Sequence, residues 1–180
     1  MQLFLVRGLI AITWAAVFAA AAESLTSSVT VGVGVLLVAY PLIDVIASLI
    51  DARTQRGSAR KILLAGAATS AIAAVALGIA ATGGVADALA VFGVWAVVSG
   101  AAQLTVALRR RAQYGLQLPM LLAGGFSVVF GVASVVGSPM LTMIAVYAAT
   151  GGVDFVVEAW LLARRRRHQA GAPAPVLSAS

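Results

Sequence analysis

Charged residues divide this chain into apolar segments that are each long enough to cross a lipid bilayer. Ile62–Ala86 and Ala88–Leu108 contain no charged residue, and Ser24–Ile50 contains only one. A spanning helix needs about 20 mostly apolar residues. The uncharged run Ala112–Val153 has about twice that length, and the Gly- and Pro-containing segment VGSPM (Val136–Met140) divides it into two.

The sequence therefore predicts an all-α integral membrane protein with six transmembrane helices. The composition agrees, because 62% of the residues are hydrophobic and only 10% are charged, whereas about 25% of the residues in a soluble domain are charged. Residues 1–167 are predicted to form one transmembrane domain, and the Ala-, Pro- and Ser-rich residues 168–180 a disordered cytoplasmic tail. The predicted spans are at about 3–22, 29–51, 62–82, 86–108, 117–136 and 140–163.

The 12 basic residues all fall on one side of this arrangement. They lie at the start of the first span, between spans two and three, between spans four and five, and after span six. Cytoplasmic loops carry the excess of Lys and Arg, so a multi-pass plasma (inner) membrane protein with both termini in the cytoplasm is predicted. Two arginine clusters are expected to anchor helix ends at the cytoplasmic interface, or alternatively to bind anionic lipid headgroups. They are Arg109, Arg110, Arg111, and Arg164, Arg165, Arg166, Arg167.

Several classes of function are excluded by what the sequence lacks. The chain has no cysteine and a single histidine, His168, so thiolate chemistry and a metal site built on several imidazoles are excluded. No P-loop, GxSxG or HExxH motif is present. We therefore predict a protein that is not an enzyme and has no cofactor and no metal. The formal charge of +6 is explained by membrane topology, so no nucleic-acid partner is expected.

The first span has a second interpretation, a signal peptide cleaved at the small residues of AVFAAAAES. A signal peptide begins with a basic segment, whereas MQLFLV precedes the first arginine here. We therefore predict that the first helix is retained.

The even-numbered spans share a pattern that indicates three helix-hairpin repeats. Each contains an aromatic residue followed four positions later by a small or polar one: Tyr40 and Asp44, Trp95 and Ser99, Tyr147 and Gly151. The odd-numbered spans carry small residues seven positions apart, which lie on one helix face. Small residues let transmembrane helices approach closely. The glycines predicted to pack between helices are Gly8, Gly100, Gly124, Gly131 and Gly152.

Three segments resemble the HdeD family: VRGLIAITW, VFGVWAVVSGAAQL and LLAGGFSVVFGVASVVGSPMLTMIAVYAATGGVDF. The resemblance covers roughly residues 4–163 and is carried by Arg7–Gly8, Trp95–Gly100, Tyr147–Gly152 and Ser138–Pro139. The first repeat departs from the pattern, with Val45 where a glycine is expected. The family comprises small six-helix acid-resistance membrane proteins built from a short repeat of unknown function. The resemblance implies an inner-membrane protein linked to acid stress and supplies no catalytic residue.

Three of the six carboxylates lie well inside the apolar spans, whereas Asp51 is at a span end and Glu23 and Asp87 are in the outer loops. A carboxylate at the bilayer centre costs at least about 2.5 kcal/mol, so each should face the bundle interior or be protonated. One interpretation is a proton-responsive or ion-handling site, and the other is a set of structural hydrogen bonds between helices. The candidates for either role are Asp44, Asp154 and Glu158, with Gln103 and Ser99 nearby.

The sequence leaves three functions open. The first is a non-enzymatic membrane protein of the HdeD type that contributes to acid or envelope stress tolerance. The second is a small proton-coupled transporter or channel that uses the buried acids. The third is a scaffold that binds a partner membrane protein. The expected surroundings are the lipid bilayer, with a protein partner or a homo-oligomer left open.

Overall fold

The computed structural model describes residues 2–23, 25, 27–114, 118–137 and 140–170. Each of its six helices is long and apolar enough to cross a membrane. This confirms the predicted all-α class with six long apolar helices, and it suggests a multi-pass membrane protein. The helices are α1 (Gln2–Ala22), α2 (Val31–Thr54), α3 (Gly57–Gly83), α4 (Val85–Tyr114), α5 (Leu118–Val136) and α6 (Thr142–Ala170). Residues 171–180 of the predicted tail lie outside the described residues, and α6 includes 168–170.

Short connections hold the middle helices together. Only residues 55–56 separate α2 from α3, and only Gly84 separates α3 from α4. Gly84 has a φ of 120°, and a Cβ there would lie 2.7 Å from the carbonyl oxygen of Ser27. A residue with a side chain would therefore be strained and would collide with the α1–α2 connection. The same carbonyl accepts a hydrogen bond from the backbone N–H of Val85 at 3.1 Å, which ties the two connections to each other.

The six helices form a closed bundle in chain order. Each helix packs on the one before and the one after it, and α6 returns to pack on α1. The most extensive contacts are α4 with α5, α2 with α3, and α1 with α6, whereas α1–α2 and α5–α6 contacts are slight. The closest packing therefore joins neighbouring hairpins, and the packing within each of the three predicted hairpins is less extensive.

Glycines explain two of the three extensive interfaces. A Cβ on Gly100 would lie 2.6 Å from the carbonyl oxygen of Gly124, and a Cβ on Gly93 would lie 2.6 Å from that of Gly131. The α4 and α5 backbones are thus in contact at two levels. At these positions no other residue fits without separating the helices.

The α1–α6 interface is built in the same way. A Cβ on Gly8 would lie 2.7 Å from the carbonyl oxygen of Gly152. The α2–α3 interface differs, because Gly66 has nothing within 4 Å of its Cβ position. Gly66 is followed by a small residue seven positions later, as Gly8 and Gly124 are (the pairs are Gly8 and Ala15, Gly66 and Ala73, Gly124 and Gly131), but Gly66 does not share their close packing.

The two ends of the bundle differ in the side chains that fill the interior. We call the end that carries Arg7, Arg53, Arg109 and Arg164 the basic end. Towards the opposite end the interior is filled with apolar side chains that are completely buried: Phe18, Leu37, Leu77, Leu89, Phe92 and Ile144. Large apolar residues also cover the outside of the bundle, as expected for helices that face lipid; examples are Ile72, Val75, Ile79 and Val129.

Candidate functional site

Three aromatic side chains from the even-numbered helices meet in the middle of the bundle. The ring centroids of Tyr40 and Trp95 are 5.8 Å apart. Tyr147 lies 6.4 Å from Tyr40 and 6.4 Å from Trp95. These are distances at which aromatic rings attract one another. Phe92 packs edge-on against Trp95 and Tyr147, at 5.3 Å and 5.5 Å. The repeated aromatic residues of α2, α4 and α6 therefore all point towards the bundle interior.

A chain of hydrogen bonds runs from this aromatic layer to Asp44. The indole Nε1 of Trp95 donates to Ser70 Oγ at 3.2 Å, and Ser70 Oγ donates to Asp44 Oδ2 at 2.7 Å. Ser70 is only 2% exposed. The chain links α4, α3 and α2, and its hydroxyl can satisfy both partners because it is a donor and an acceptor.

Tyr147 makes a similar contact on the other side of the bundle. Its hydroxyl lies 3.2 Å from Ser127 Oγ, and either oxygen could be the donor. Ser127 also donates to the carbonyl of Ala123 in its own helix. Both serines belong to odd-numbered helices and are buried. Each therefore offers an oxygen to an aromatic residue of an even-numbered helix.

One helical turn from the aromatic layer towards the basic end, the interior positions are small or polar. These are Asp44, Ser99 and Gly151, and all three are half-buried. A Cβ on Gly151 would meet only the hydroxyl of Tyr40, at 3.8 Å, so there is free space beside that hydroxyl. Further towards the basic end, Gln103 is exposed.

We call this space the recess, and define it by Tyr40, Asp44, Ser99, Tyr147 and Gly151. Tyr40 and Tyr147 also retain some accessible area, although they lie in the middle of the bundle. The completely buried apolar side chains close the opposite end. The recess therefore lies on the basic side of the aromatic layer, and the completely buried apolar side chains lie on the other side.

An ion pair lies beyond the recess, between α1 and α2. Arg7 Nη1 donates to Asp51 Oδ2 at 2.8 Å, and the side chains are 14% and 27% exposed. The Arg7 guanidinium also lies 5.6 Å from the centre of the Phe155 ring, within the range of a cation–π interaction. Arg7 attracts and Asp51 repels the negative charge of Asp44. Arg7 is paired with Asp51, and it forms no contact ion pair with Asp44.

The structure does not gather all the predicted polar residues at one site. Asp44 and Ser99 lie in the recess. Asp154 is half-buried, and within the described residues it forms no hydrogen bond or ion pair. Gln103 is exposed, and the side chain of Glu158 lies outside the described residues.

The predicted packing and anchoring residues are found as follows. Gly8, Gly100, Gly124, Gly131 and Gly152 are all buried at the helix interfaces described above. Arg109, Arg111 and Arg164 are exposed, and Arg164 lies 5.5 Å from the centre of the Trp160 ring. The side chains of Arg110, Arg165, Arg166 and Arg167 lie outside the described residues.

Sequence reasoning missed Ser70, Ser127 and the Arg7–Asp51 pair. A hydroxyl in an apolar span is a weak signal, because it is often satisfied by its own helix. Arg7 is a topology signal in the sequence and part of the Arg7–Gly8 resemblance, and neither feature indicates an ion pair with Asp51. Among the described residues, no group of three or more His, Cys, Asp or Glu could hold a metal ion.

Comparison of the chain with models of known protein families, with curated proteins and with solved structures found no match in any of the three.

Proposed function

We propose that the chain is a non-enzymatic plasma-membrane protein of the HdeD type, which contributes to acid or envelope stress tolerance. The observation that carries this proposal is Asp44, a carboxylate inside an apolar bundle whose only hydrogen-bond donor among the described residues is the neutral Ser70. The resemblance of the sequence segments to that family supports the same function.

The surroundings of Asp44 make the stability of the bundle depend on whether this carboxylate is ionised. An ionised carboxylate in an apolar interior is expensive unless it is paired and hydrogen-bonded. The positive charge of Arg7 attracts the Asp44 carboxylate, but Arg7 is paired with Asp51. The other titratable groups facing Asp44 are Tyr40 and Tyr147, which lie in the same recess and are neutral. A change in the protonation of Asp44 would therefore alter the packing of α2 on α3 through Ser70.

We further propose that the bundle is a threefold repeat of helix hairpins. Tyr40, Trp95 and Tyr147 occupy corresponding positions in the sequence, and their rings meet one another in the interior. The three most extensive interfaces likewise each join an even-numbered helix to the odd-numbered helix that follows it around the bundle: α2 to α3, α4 to α5 and α6 to α1. A repeat related by rotation about the bundle axis would give both features.

The orientation proposed is the one with the basic end in the cytoplasm. It follows from the excess of Lys and Arg in cytoplasmic loops, since the connections at the opposite end have no basic residue. Asp44 would then lie on the cytoplasmic side of the aromatic layer. A change in cytoplasmic pH would act on Asp44 from that side.

A transporter or channel is the alternative that the recess itself favours. Transport needs a polar path through both leaflets, with groups that replace the solvation of the ion. Leu37, Phe92 and Ile144 are completely buried on the opposite side of the aromatic layer and offer no such groups. The closed interior is the reason for preferring a non-conducting protein. A scaffold that binds a partner membrane protein predicts no flux either, and it differs in not depending on Asp44.

The test has two parts, a measurement of proton flux in liposomes and an assay of cell survival in acid. The purified protein in liposomes should carry no proton current above that of empty liposomes, and a current would favour the transporter.

Cells that lack the protein should survive an acid challenge less well, and the wild-type chain should restore survival. Asp44→Asn should restore it poorly, whereas Asp154→Asn, which alters a carboxylate outside the recess, should restore it fully. Equal rescue by both variants would contradict the proposal.

A further inference from the structure

Four basic residues surround the short connection between α2 and α3. Arg53 lies in the last turn of α2, Arg56 is the N-cap of α3, and Arg60 and Lys61 lie at the start of α3. We call these four residues the turn patch, and all four side chains are exposed. The patch joins two helices that are each long and apolar enough to span a membrane. In a bilayer it therefore lies at the depth of the lipid headgroups.

The positive charge of the turn patch is not neutralised by the described part of the chain. None of the four side chains forms an ion pair with another described residue, and the acid nearest to them in the sequence, Asp51, is bound to Arg7 at 2.8 Å. The first turn of α3 contains no acidic residue. Arg56 and Arg60 are four positions apart, and like charges at that spacing repel each other.

The turn patch differs from the α4 arginines in its position on the helix. Positive side chains are favoured near the C-terminus of a helix, whereas negative ones are favoured near the N-terminus. Arg109 and Arg111 lie near the C-terminal end of α4, but Arg56 and Arg60 lie at the N-terminal end of α3. Cytoplasmic topology requires basic residues at this end of the bundle and does not require them at a helix N-terminus. A bound anion explains their position there.

The turn patch can also direct several cations at one anion, which the α4 arginines cannot. Arg56 and Arg60 are about one helical turn apart and lie on the same side of α3. Arg109 and Arg111 are separated by about 200° around α4, so they point to opposite sides of it. The turn patch has room for a ligand, because nothing lies within 4 Å of the Cβ position of Gly57.

We propose that the turn patch binds the headgroup of an anionic phospholipid in the leaflet at the basic end. Arg56 and Arg60 hold the phosphate, and Arg53 and Lys61 add positive charge. Guanidinium groups form strong, often bidentate hydrogen bonds to phosphate, and clusters of four or more basic residues beside a membrane span attract anionic lipids. The proposal goes beyond the proposed function, because it involves neither Asp44 nor the recess.

Lipid retention measures this binding. The purified protein in detergent micelles is mixed with equal amounts of phosphatidylglycerol and phosphatidylcholine that have the same acyl chains, and the retained lipids are counted by native mass spectrometry. Phosphatidylglycerol should be retained preferentially. The preference should fall as NaCl is raised, because exposed charges are screened over about 10 Å at about 0.1 M salt. A preference that does not change with salt would overturn the proposal.

Two double variants with the same loss of charge then locate the site. Arg56→Gln with Arg60→Gln should weaken phosphatidylglycerol binding at least about tenfold, because each basic residue near an anionic lipid contributes about fivefold. Arg109→Gln with Arg111→Gln should keep the preference of the wild-type chain. An equal loss in the two double variants would mean that the charge of the whole basic end is responsible, and the site would be wrong.

Thermal unfolding gives a second test, in which the sign of the change is informative. Without anionic lipid, Arg56→Gln with Arg60→Gln should unfold at a higher temperature than the wild type, because two repelling charges leave a helix N-terminus. Phosphatidylglycerol should stabilise the wild type and not this variant. Equal stabilisation of the wild type by inorganic phosphate would identify a soluble anion and overturn the lipid. Asp44→Asn should bind phosphatidylglycerol as the wild type does, so the result is independent of the acid-stress function.

Discussion

Gly8 and Gly152 meet across the α1–α6 interface with their backbones in contact. A Cβ on Gly8 would lie 2.7 Å from the carbonyl oxygen of Gly152, and a Cβ on Gly152 would lie 2.9 Å from that of Gly8. This interface joins the first helix to the last and so closes the bundle. Between lipid-facing helices there is little hydrophobic driving force, so close packing of this kind carries much of the association.

Gly152→Leu should therefore destabilise the protein. The side chain would meet Ile12 Cγ1 at 2.8 Å as well as the Gly8 backbone, and overpacking of a tight site costs about 1–3 kcal/mol. The measurement is thermal unfolding in a mild detergent. Gly125→Leu is the control, because that position faces open space. A loss of stability equal in the two variants would show that side-chain volume, and not the interface, is responsible.

The topology is open to a direct test. Reporter fusions after Leu25 and after Ala170 are expected on opposite faces of the membrane, with the second in the cytoplasm, because the basic residues all lie at one end of the bundle. An alkaline phosphatase and a fluorescent protein give complementary signals. A periplasmic signal after Ala170 would contradict the predicted orientation.

The first helix should remain in the mature protein. Its Trp14 and Phe18 are buried in the core, and Trp14 Nε1 donates to the carbonyl of Leu36 at 3.1 Å. Removing α1 would expose the inner faces of α2 and α6. Intact mass measurement of the purified chain tests this, and a mature N-terminus near Glu23 would refute it.

The number and class of the helices could be predicted because the bilayer leaves few choices. Backbone groups have no water partners in lipid, so an apolar segment of about 20 residues must be helical to cross it. Charge positions then separate the segments. Which helices pack closely on each other was harder to predict. The seven-residue spacing of small residues is the same for Gly8, Gly66 and Gly124, so it does not distinguish their interfaces. Only Gly8 and Gly124 face a glycine on a neighbouring helix, and Val45 stands at the corresponding position of α2.

The candidate site could be predicted only in part, for a similar reason. Asp44 is visible in the sequence because a charge in an apolar span is costly. Its partner Ser70 is not visible, because the contact depends on how α3 rotates against α2. Asp154 has the same sequence signal as Asp44 and is likewise half-buried, yet it lies outside the hydrogen-bond chain. The placement of both carboxylates within long apolar helices was thus predictable, and the direction that each carboxylate faces was not.

The Arg7–Asp51 ion pair should couple α1 to α2, which otherwise share few contacts. Arg7→Gln and Asp51→Asn should each destabilise the bundle, and the double variant should lose less than the sum of the two. Because the side chains are 14% and 27% exposed, we expect a coupling energy of about 1 kcal/mol. A double-mutant cycle by thermal unfolding measures it. Strict additivity would mean that the pair contributes nothing, and Arg53→Gln, at an exposed arginine, controls for lost positive charge.

Ser70→Ala removes the middle of the hydrogen-bond chain from Trp95 to Asp44. The indole N–H loses its acceptor and the carboxylate loses its donor, and a buried polar group left without a partner costs about 1–3 kcal/mol. The variant should therefore unfold at a lower temperature, and the emission of Trp95 should shift because the indole loses its hydrogen bond.

The neighbouring residue provides a matched control for that change. The Thr69 hydroxyl donates to the carbonyl of Ala65 in its own helix at 3.0 Å, so Thr69→Ala should leave both the unfolding temperature and the Trp95 emission nearly unchanged. If Ser70→Ala is as mild as Thr69→Ala, the chain does not hold α2, α3 and α4 together. If Ser70→Ala is destabilising and Ser70→Ala with Asp44→Asn is no worse, the two residues act as one unit, as the 2.7 Å contact between their oxygens requires.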